Sequence, residues 1–275
     1  TLGAKDKEIY FTSGGTESNN TIIRGIVALN KKRKNHIIST TIEHPSVLNT
    51  LKDLESEGCE VTYLEVDKNG KIDIEEFKNA LKPTTCLVTI MHVNNEIGTI
   101  QDLKAIGNLI KEKNSNTIFH VDAVASFGKL PMKISEWKAD LVSVSGHKIH
   151  APKGVGALYI RDGLKLRSLV DGGSQEFGMR AGTENSIGIV GFGEACKIIN
   201  EDGLEMGLEH TKKLYNYLKE RVLSEIKDSC INGTELLDNE TYTSSPFLIN
   251  LGFKGVKAET LLHHLASYKI YVSTT

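Results

Sequence analysis

The chain has 275 residues and a formal net charge of −2, with 39 % hydrophobic and 25 % charged residues. This length and apolar share are sufficient for a sizeable α/β core, and the near-neutral charge does not indicate a nucleic-acid partner. The sequence contains no apolar stretch of transmembrane length, so no membrane partner is expected. The four cysteines (Cys59, Cys86, Cys196 and Cys230) are widely spaced and form no Cys-x-x-Cys pair. That spacing favours neither a disulfide framework nor a metal site, and it fits a reducing, cytoplasmic compartment.

Segments typical of strands and helices alternate along the chain. The predicted strands are Ile9–Thr12, His36–Thr40, Glu60–Glu65, Cys86–His92, Thr117–Asp122, Leu141–Ser145 and Gly156–Ile160. The predicted helices are Thr16–Asn30, Ser46–Glu57, Ile74–Leu81, Leu103–Lys113 and Ser186–Asn200. Strands rich in β-branched residues and separated by helices predict an α/β fold, with a mostly parallel sheet sandwiched by helices.

The last part of the chain has a different pattern. Leu204–Ile226 combines helical spacing of apolar residues with many charges, which predicts a long, solvent-facing helix. After it, Ser245–Leu251 and Lys269–Val272 resemble strands on either side of a helix over Ala258–Ala266. We therefore expect the beginning of a small α+β C-terminal domain.

Two polar side chains follow buried strands. Lys148, in Ser145-Gly146-His147-Lys148, comes just after the apolar run that ends at Ser145, and Asp122 ends the strand Thr117–Asp122. Ligands of open α/β sheets bind at the carboxyl ends of the strands. A partly desolvated lysine can react with an aldehyde, and a carboxylate can hold a protonated ring nitrogen. Together these residues match what pyridoxal 5′-phosphate (PLP) requires.

A glycine-containing turn lies between the first strand and the first helix. In Ser13-Gly14-Gly15-Thr16, the glycines permit a sharp turn, and the free N–H groups of the helix start can bind a phosphate with help from the Thr16 hydroxyl. Taken alone, the segment is more typical of an ordinary strand-to-helix turn. The combination of this turn with a strand-end acid and a strand-end lysine favours PLP.

Six consecutive stretches resemble the cysteine desulfurases, PLP enzymes of the aminotransferase class V with fold type I. The stretches are FTSGGTESNN, TIEHPSV, MHVNNEIGTIQ, HVDAVASFGKL, SGHKIHAPKGVGALYIR and GGSQEFGMRAGTEN, from about Phe11 to Asn185. The resemblance implies a PLP-binding large domain over residues 1–200. Residues 201–275 would form a linking helix and part of a small C-terminal domain.

The resemblance also implies a role for each matched residue. Lys148 would bind the PLP aldehyde and His44 would stack on the cofactor and carry protons, so these two are the catalytic candidates. The remaining cofactor-binding candidates are Gly15, Thr16, Asn95, Asp122, Ser145, His147 and Thr183. Thr183 would reach the phosphate of the neighbouring subunit, which implies a homodimer with shared active sites.

The activity that the resemblance implies is removal of sulfur from L-cysteine, giving L-alanine and an enzyme persulfide. A sulfur-acceptor protein would then supply iron–sulfur cluster assembly or tRNA thiolation. Three departures from the family pattern stand out. The catalytic loop cysteine is expected beyond Thr275, the opening strand and turn are expected before Thr1, and Ala125 replaces a glutamine of the family. Ala151 and Ser174 also replace usual glycines.

Two alternatives remain open at this point. A carbon–sulfur or selenocysteine lyase of the same fold would share the PLP site without needing a loop cysteine. A non-catalytic scaffold would keep the fold with a degenerate site, which Ala125 permits. The presence of Lys148, Asp122 and His44 together argues against a scaffold.

Overall fold

A computed structural model describes residues 1–30, 34–201, 203–234 and 243–274 of the chain. The strands are β1 (Ile9–Thr12), β2 (His36–Thr40), β3 (Glu60–Leu64), β4 (Thr85–Met91), β5 (Ile118–Asp122), β6 (Leu141–Ser145), β7 (Gly156–Ile160), β8 (Ser229–Asn232) and β9 (Asn250–Phe253). The α-helices are α1 (Gly15–Asn30), α2 (Pro45–Ser56), α3 (Ile74–Ala80), α4 (Leu103–Lys113), α5 (Ile134–Trp137), α6 (Ser186–Glu201), α7 (Leu204–Glu225) and α8 (Ala258–Ser267).

The first seven strands form one sheet in the order β1-β7-β6-β5-β4-β2-β3. Strands β2 to β6 pair in parallel, whereas β7 runs antiparallel to both of its neighbours, β1 and β6. Every residue of β2, β4, β6 and β7 is buried, and apart from His36 these segments contain no strongly polar or charged side chain. The prediction of a mostly parallel α/β sheet is confirmed.

Helices cover both faces of this sheet. On one face, Ile22 and Ile26 of α1 and Leu51 of α2 pack against strand residues such as Leu87. On the other face, Phe77 of α3 and Ile106 and Ile110 of α4 pack against residues such as Val88 and Phe119. Adjacent residues of β4 thus point to opposite faces, and each fully buried Ile or Phe contributes roughly 1.5–3 kcal/mol to folding. In the part of the chain that the structure describes, no helix has both the length and the apolar character needed to cross a membrane.

The C-terminal part differs in detail from the prediction. β8 and β9 form an antiparallel pair, and β9 begins at Asn250, five residues later than the predicted strand Ser245–Leu251. The preceding residues contact the loop after β4 instead, because Ser245 N–H donates to the Gly98 carbonyl. The prediction of a strand over Lys269–Val272 is wrong: Lys269 adopts a left-handed conformation with φ 62°, and no described strand pairs with this segment.

The arrangement brings several chain segments to one edge of the sheet. The parallel strands β4, β5 and β6 all end at this edge, and Met91 pairs with Asp122, which in turn pairs with Ser143. The turn between β1 and α1 lies there as well, because β1 points in the same direction as β6. The residues that follow these strand ends are therefore candidates for a binding site.

Candidate functional site

Asp122 is a buried carboxylate at this edge of the sheet with a hydrogen bond to each oxygen. Its side chain lies at the end of β5 in a residue only 5 % exposed. Asn19 Nδ2 donates to Oδ2 at 2.7 Å, and the backbone N–H of Val124 donates to Oδ1 at 2.9 Å. Burial raises the pKa of Asp122, while these two hydrogen bonds and the charge of His44 oppose the rise. A cationic ring nitrogen brought beside this carboxylate would stabilise its ionised form.

A short chain of hydrogen bonds through Ser46 and Asn19 connects His44 to Asp122. It is the N-cap of α2, followed by Pro45 at the first helical position, and Nδ1 accepts from the backbone N–H of Ser46 at 3.1 Å. The Ser46 hydroxyl is 2.8 Å from the same Nδ1 and accepts from Asn19 Nδ2 at 2.9 Å. Because Nδ1 is an acceptor here, a neutral ring carries its proton on Nε2. The ring is exposed and held by the helix start, as a stacking residue requires.

The turn before α1 packs closely against neighbouring strand ends. A Cβ placed on Gly15 would lie 2.5 Å from Val124 Cγ2, and one placed on Gly156 would lie 2.6 Å from Gly14 Cα. A side chain at Gly15 would therefore push the helix start away from the sheet. Thr16 follows in the first turn of α1 and is exposed. The helix N-terminus thus faces the sheet edge with its first N–H groups available for an anion.

Ser145 and His147 lie beside this turn. Ser145 Oγ is 2.9 Å from His147 Nδ1, and a Cβ on Gly14 would lie 3.6 Å from the same Oγ. The structure therefore brings Ser145 and His147 beside the turn that carries Gly15 and Thr16. Burial and the charges of Lys148, Lys153 and Lys129 lower the pKa of His147. These three lysines therefore lie within electrostatic range of His147.

Lys148 lies in a short 3-10 turn (Gly146–Ile149) directly after β6. The side chain is exposed, whereas Gly146 before it is buried against Ala151 and Val155. Strand β6 pairs with β5, so Lys148, which follows β6, lies at the edge of the sheet where Asp122 ends β5. This placement agrees with the predicted pairing of an amine and an acid at one edge.

Asn95 follows β4 and is presented by a turn that its neighbour organises. Asn94 is buried, donates to the Ile42 carbonyl at 3.1 Å, and accepts from the N–H groups of Glu96 and Ile97. Asn95 is half-buried at the same edge of the sheet as Asp122. Asn94 therefore has the structural role and leaves the Asn95 amide for a ligand.

Thr183 lies in the loop between β7 and α6 and is exposed. It lines a cleft of about 120 Å³ together with Phe11, Ser13 and Arg180. The structure thus places Thr183 in the same cleft as Ser13 of the β1–α1 turn.

Two buried titratable groups lie beneath the site. His120, in the middle of β5, bridges Thr89 Oγ1 at 2.8 Å and Ser143 Oγ at 3.0 Å, and burial lowers its pKa to about 3. Glu43 precedes His44 and is almost fully buried, with Oε1 accepting from Met91 N–H and from the Thr40 hydroxyl, each at 2.9 Å. Burial raises the pKa of Glu43 to about 8. Burial thus favours the neutral form of both groups, whereas Asp122 has a hydrogen-bond donor on each of its two oxygens.

Sequence reasoning missed the supporting residues Asn19, Ser46, Glu43 and Asn94. Asn19 follows Gly15 by one helical turn on the same face of α1, so this spacing was the available signal. Glu43 and Ser46 flank His44 in the sequence, and Asn94 precedes Asn95. None of these short-range patterns indicates which distant partner the side chain contacts.

The donor set at this edge fits PLP. A pyridine aldehyde phosphate needs an amine for its aldehyde, a buried acid for its ring nitrogen, and N–H and hydroxyl donors for its phosphate. Lys148, Asp122 and the Gly15–Thr16 turn with Ser145 could meet these three needs from strand ends at one edge of the sheet. The clash that a Cβ at Gly15 would cause shows that the turn is shaped for close approach of the helix start to the sheet.

Comparisons with known proteins agree with this site. The family model for aminotransferase class-V matches residues 1–274. A cysteine desulfurase from Nostoc sp. is 44 % identical over 275 residues, which cover 99 % of this chain and 66 % of the relative. The cysteine desulfurase IscS from Clostridium botulinum is 44 % identical over 273 residues, covering 99 % of this chain and 67 % of its own. The chain thus spans about two thirds of the length of these relatives.

Solved structures show the same likeness. A NifS-like protein superposes with a TM-score of 0.94 at 40 % identity, and the match covers all of this chain and 73 % of the NifS-like chain. A structure of SspA in complex with cysteine has a TM-score of 0.82 at 36 % identity, with 100 % and 73 % covered. From its sequence, its fold and the arrangement of its site, the chain belongs to the cysteine desulfurases of the aminotransferase class-V family.

Proposed function

We propose that this chain is the larger part of a PLP-dependent cysteine desulfurase, which removes sulfur from L-cysteine to give L-alanine and an enzyme persulfide. The observation that carries the proposal is the pairing of Asp122, held by two donors at the end of β5, with Lys148 after the neighbouring strand. The names of the relatives support L-cysteine as the substrate, as does the cysteine bound to SspA, whose structure is similar.

The proposed roles follow from the contacts of each side chain. Asp122 would accept from the protonated ring nitrogen of PLP, with Asn19 and Val124 fixing its two oxygens. Gly15, Thr16, Ser145 and His147 would bind the phosphate, and Asn95 would donate to the ring oxygen or the substrate. His44 would stack on the ring from the start of α2. PLP would supply an electron sink for negative charge that develops on the substrate α-carbon.

Lys148 and His44 are the proposed proton carriers. Lys148 would hold PLP through its aldehyde, and its amine would carry a proton to or from the substrate α-carbon. His44 Nε2 carries the exchangeable proton because Nδ1 accepts from Ser46. The nucleophilic cysteine of the reaction would lie outside residues 1–275. Ala125 would offer no amide to PLP where the family has glutamine, so one hydrogen bond to the ring oxygen would be lost.

We also propose a homodimer with shared sites, in which Thr183 contributes to the phosphate site of the partner subunit. Large apolar side chains near this loop support an interface, since Phe177 and Ile187 are 88 % and 86 % exposed. Residues 1–200 would form the PLP-binding large domain, and residues 201–275 the linking helix with part of the small domain. The protein would act in the cytoplasm and pass sulfur to an acceptor protein.

The decisive experiment measures products from L-cysteine in the full-length protein. A desulfurase gives alanine, and sulfide appears in proportion only when a thiol reductant is added to release the persulfide. A carbon–sulfur lyase gives pyruvate and ammonia with sulfide and needs no reductant, and a selenocysteine lyase prefers selenocysteine. A scaffold shows neither visible PLP absorbance nor product. Alanine formation at a rate that depends on PLP supports the proposal, and each of the other results refutes it.

A further inference from the structure

An ion pair joins the phosphate turn to the loop that carries Thr183. Arg180 Nε donates to Glu17 Oε1 at 3.0 Å, and Nη2 donates to Oε2 at 3.4 Å. Glu17 lies in the first turn of α1, directly after Thr16, and its Oε2 also accepts from the backbone N–H of Ser13 at 3.1 Å. The Glu17 carboxylate therefore lies against the Ser13–Thr16 turn itself.

This carboxylate is ionised and only 13 % exposed. Burial by itself would raise the pKa of Glu17, but the hydrogen bonds from Arg180 and Ser13 outweigh it and hold the pKa below its usual value. An anion at a helix N-terminus stabilises the helix, yet it also repels a second anion at the same place. A phosphate bound at this turn would meet that repulsion unless a cation compensates Glu17.

A second contact holds the Arg180 loop in place. Glu176 Oε2 accepts from the backbone N–H of Phe11, at the end of β1, at 2.8 Å. Glu176 and Phe177 both adopt left-handed conformations, with φ 47° and 55°, a strain of order 1–3 kcal/mol per residue that must be supported by the surroundings. Farther along the loop, Gly182 N–H donates to Gln175 Oε1 at 3.2 Å. These contacts hold the loop in the conformation in which Arg180 contacts Glu17.

We propose that Arg180 is a positioning residue that neutralises Glu17 beside the phosphate turn, so that this carboxylate does not repel a phosphate bound there. The inference rests on the proposed function only in taking the phosphate of PLP as the anion. If Arg180 acts by neutralising Glu17, the PLP affinity lost on removing Arg180 is recovered when the Glu17 charge is also removed. A purely structural ion pair predicts no such recovery.

The test is a double-mutant cycle on PLP binding by the full-length protein, measured by absorbance titration. Arg180→Gln is expected to weaken PLP binding roughly tenfold, because an uncompensated carboxylate then faces the phosphate. Arg180→Lys, which keeps the charge, and the double variant Glu17→Gln/Arg180→Gln are both expected within about threefold of the wild type. Arg24→Gln is the matched control. Arg24 also lies on α1, but it pairs with Asp53 of α2 at 2.7 Å, away from the turn.

Two results overturn the inference: PLP affinity unchanged in Arg180→Gln, or a double variant as weak as Arg180→Gln. Inorganic phosphate, followed by its protection against thermal unfolding, is the second probe and should rank the variants in the same order. If the wild type binds phosphate but not PLP, the proposed function fails while the phosphate ranking still tests the ion pair. If the wild type binds neither, the inference fails as well.

Discussion

Asn19 Nδ2 donates to Asp122 Oδ2 at 2.7 Å, which connects the first helix to the carboxylate at the end of β5. The same amide nitrogen donates to Ser46 Oγ, whose hydroxyl contacts His44 Nδ1. One side chain in α1 therefore orients both the acid and the imidazole of the candidate site. The positions of the proposed PLP ligands depend on residues that would not bind PLP themselves.

Asn19→Ala is expected to weaken PLP binding by roughly tenfold or more, because a hydrogen bond to a charged group is worth roughly 1.5–3 kcal/mol. Asn19→Asp should weaken it further, since a second carboxylate would then face Asp122. Absorbance titration of PLP checks both. Asn20→Ala is the control, because Asn20 hydrogen-bonds the Thr50 hydroxyl and the carbonyls of Thr16 and Ser46 but has no hydrogen bond to Asp122. Equal affinities for Asn19→Ala and the control would contradict the assigned role.

Lys148 is expected to be the residue that binds the PLP aldehyde. Borohydride reduction of the PLP-loaded protein followed by peptide mass mapping should place the pyridoxyl group on Lys148, which follows the strand next to Asp122. Lys148→Ala should abolish the adduct, whereas Lys153→Ala should leave it unchanged. An adduct found on Lys153 or Lys129 in the wild type would disprove the assignment.

Asp122→Asn is expected to lower turnover by roughly 10²–10³-fold while the protein still folds, because the ring nitrogen loses the charge that keeps it protonated. The amide oxygen of the variant can still accept from Val124, and loss of a buried charge removes a desolvation cost. Steady-state alanine formation and thermal unfolding measure the two effects separately. Near-normal turnover in a fully loaded variant would rule out this role.

Glu43 should make the stability of the protein depend on pH. Its folded-state pKa of about 8 lies above its ordinary value of 4.5, so the folded protein keeps a proton that the unfolded chain loses. This contribution to the free energy of unfolding is fully present below about pH 4.5. It declines as the pH rises to 8, by at most ~1.4 kcal/mol per pH unit.

Denaturant unfolding at pH 5, 6.5 and 8 tests this dependence. Glu43→Gln, which keeps an oxygen for Met91 N–H and the Thr40 hydroxyl, should show a smaller loss of stability between pH 5 and 8 than the wild type. Glu112→Gln, on the exposed face of α4, is the control and should behave as the wild type. Parallel stability curves for Glu43→Gln and the wild type would refute a protonated Glu43.

The cysteines of this chain are not expected to act as the sulfur-accepting nucleophile. Burial raises the pKa of Cys86 to about 11 and also raises the pKa of Cys196, so neither is poised as a thiolate at neutral pH. In the full-length protein, Cys196→Ala and Cys230→Ala should leave alanine and sulfide formation within about twofold of the wild type. Loss of the bound persulfide, detected by mass spectrometry, in either variant would show that the nucleophile has been misplaced.

The sequence alone predicted most of the fold. The bounds of β1, β2, β6, β7 and α4 agree with the prediction residue for residue, because β-branched and helical patterns report local backbone preference directly. The prediction of a strand over Lys269–Val272 was wrong because local pattern does not reveal whether a partner strand is present. An apolar run becomes a strand only when another strand supplies its hydrogen-bonding partner.

The sequence by itself determined the α/β architecture and placed Lys148, Asp122 and the Gly15–Thr16 turn at one sheet edge, because strand ends that are parallel must converge there. Only the tertiary structure decided that β7 runs antiparallel between β1 and β6, that Asn19 contacts Asp122 across 103 residues of chain, and that Arg180 compensates Glu17. Contacts of this kind depend on which surfaces meet after packing, and local periodicity carries no information about distant partners. The same packing excludes water from Glu43, so the protonation of that carboxyl is a property of the folded chain rather than of the residue.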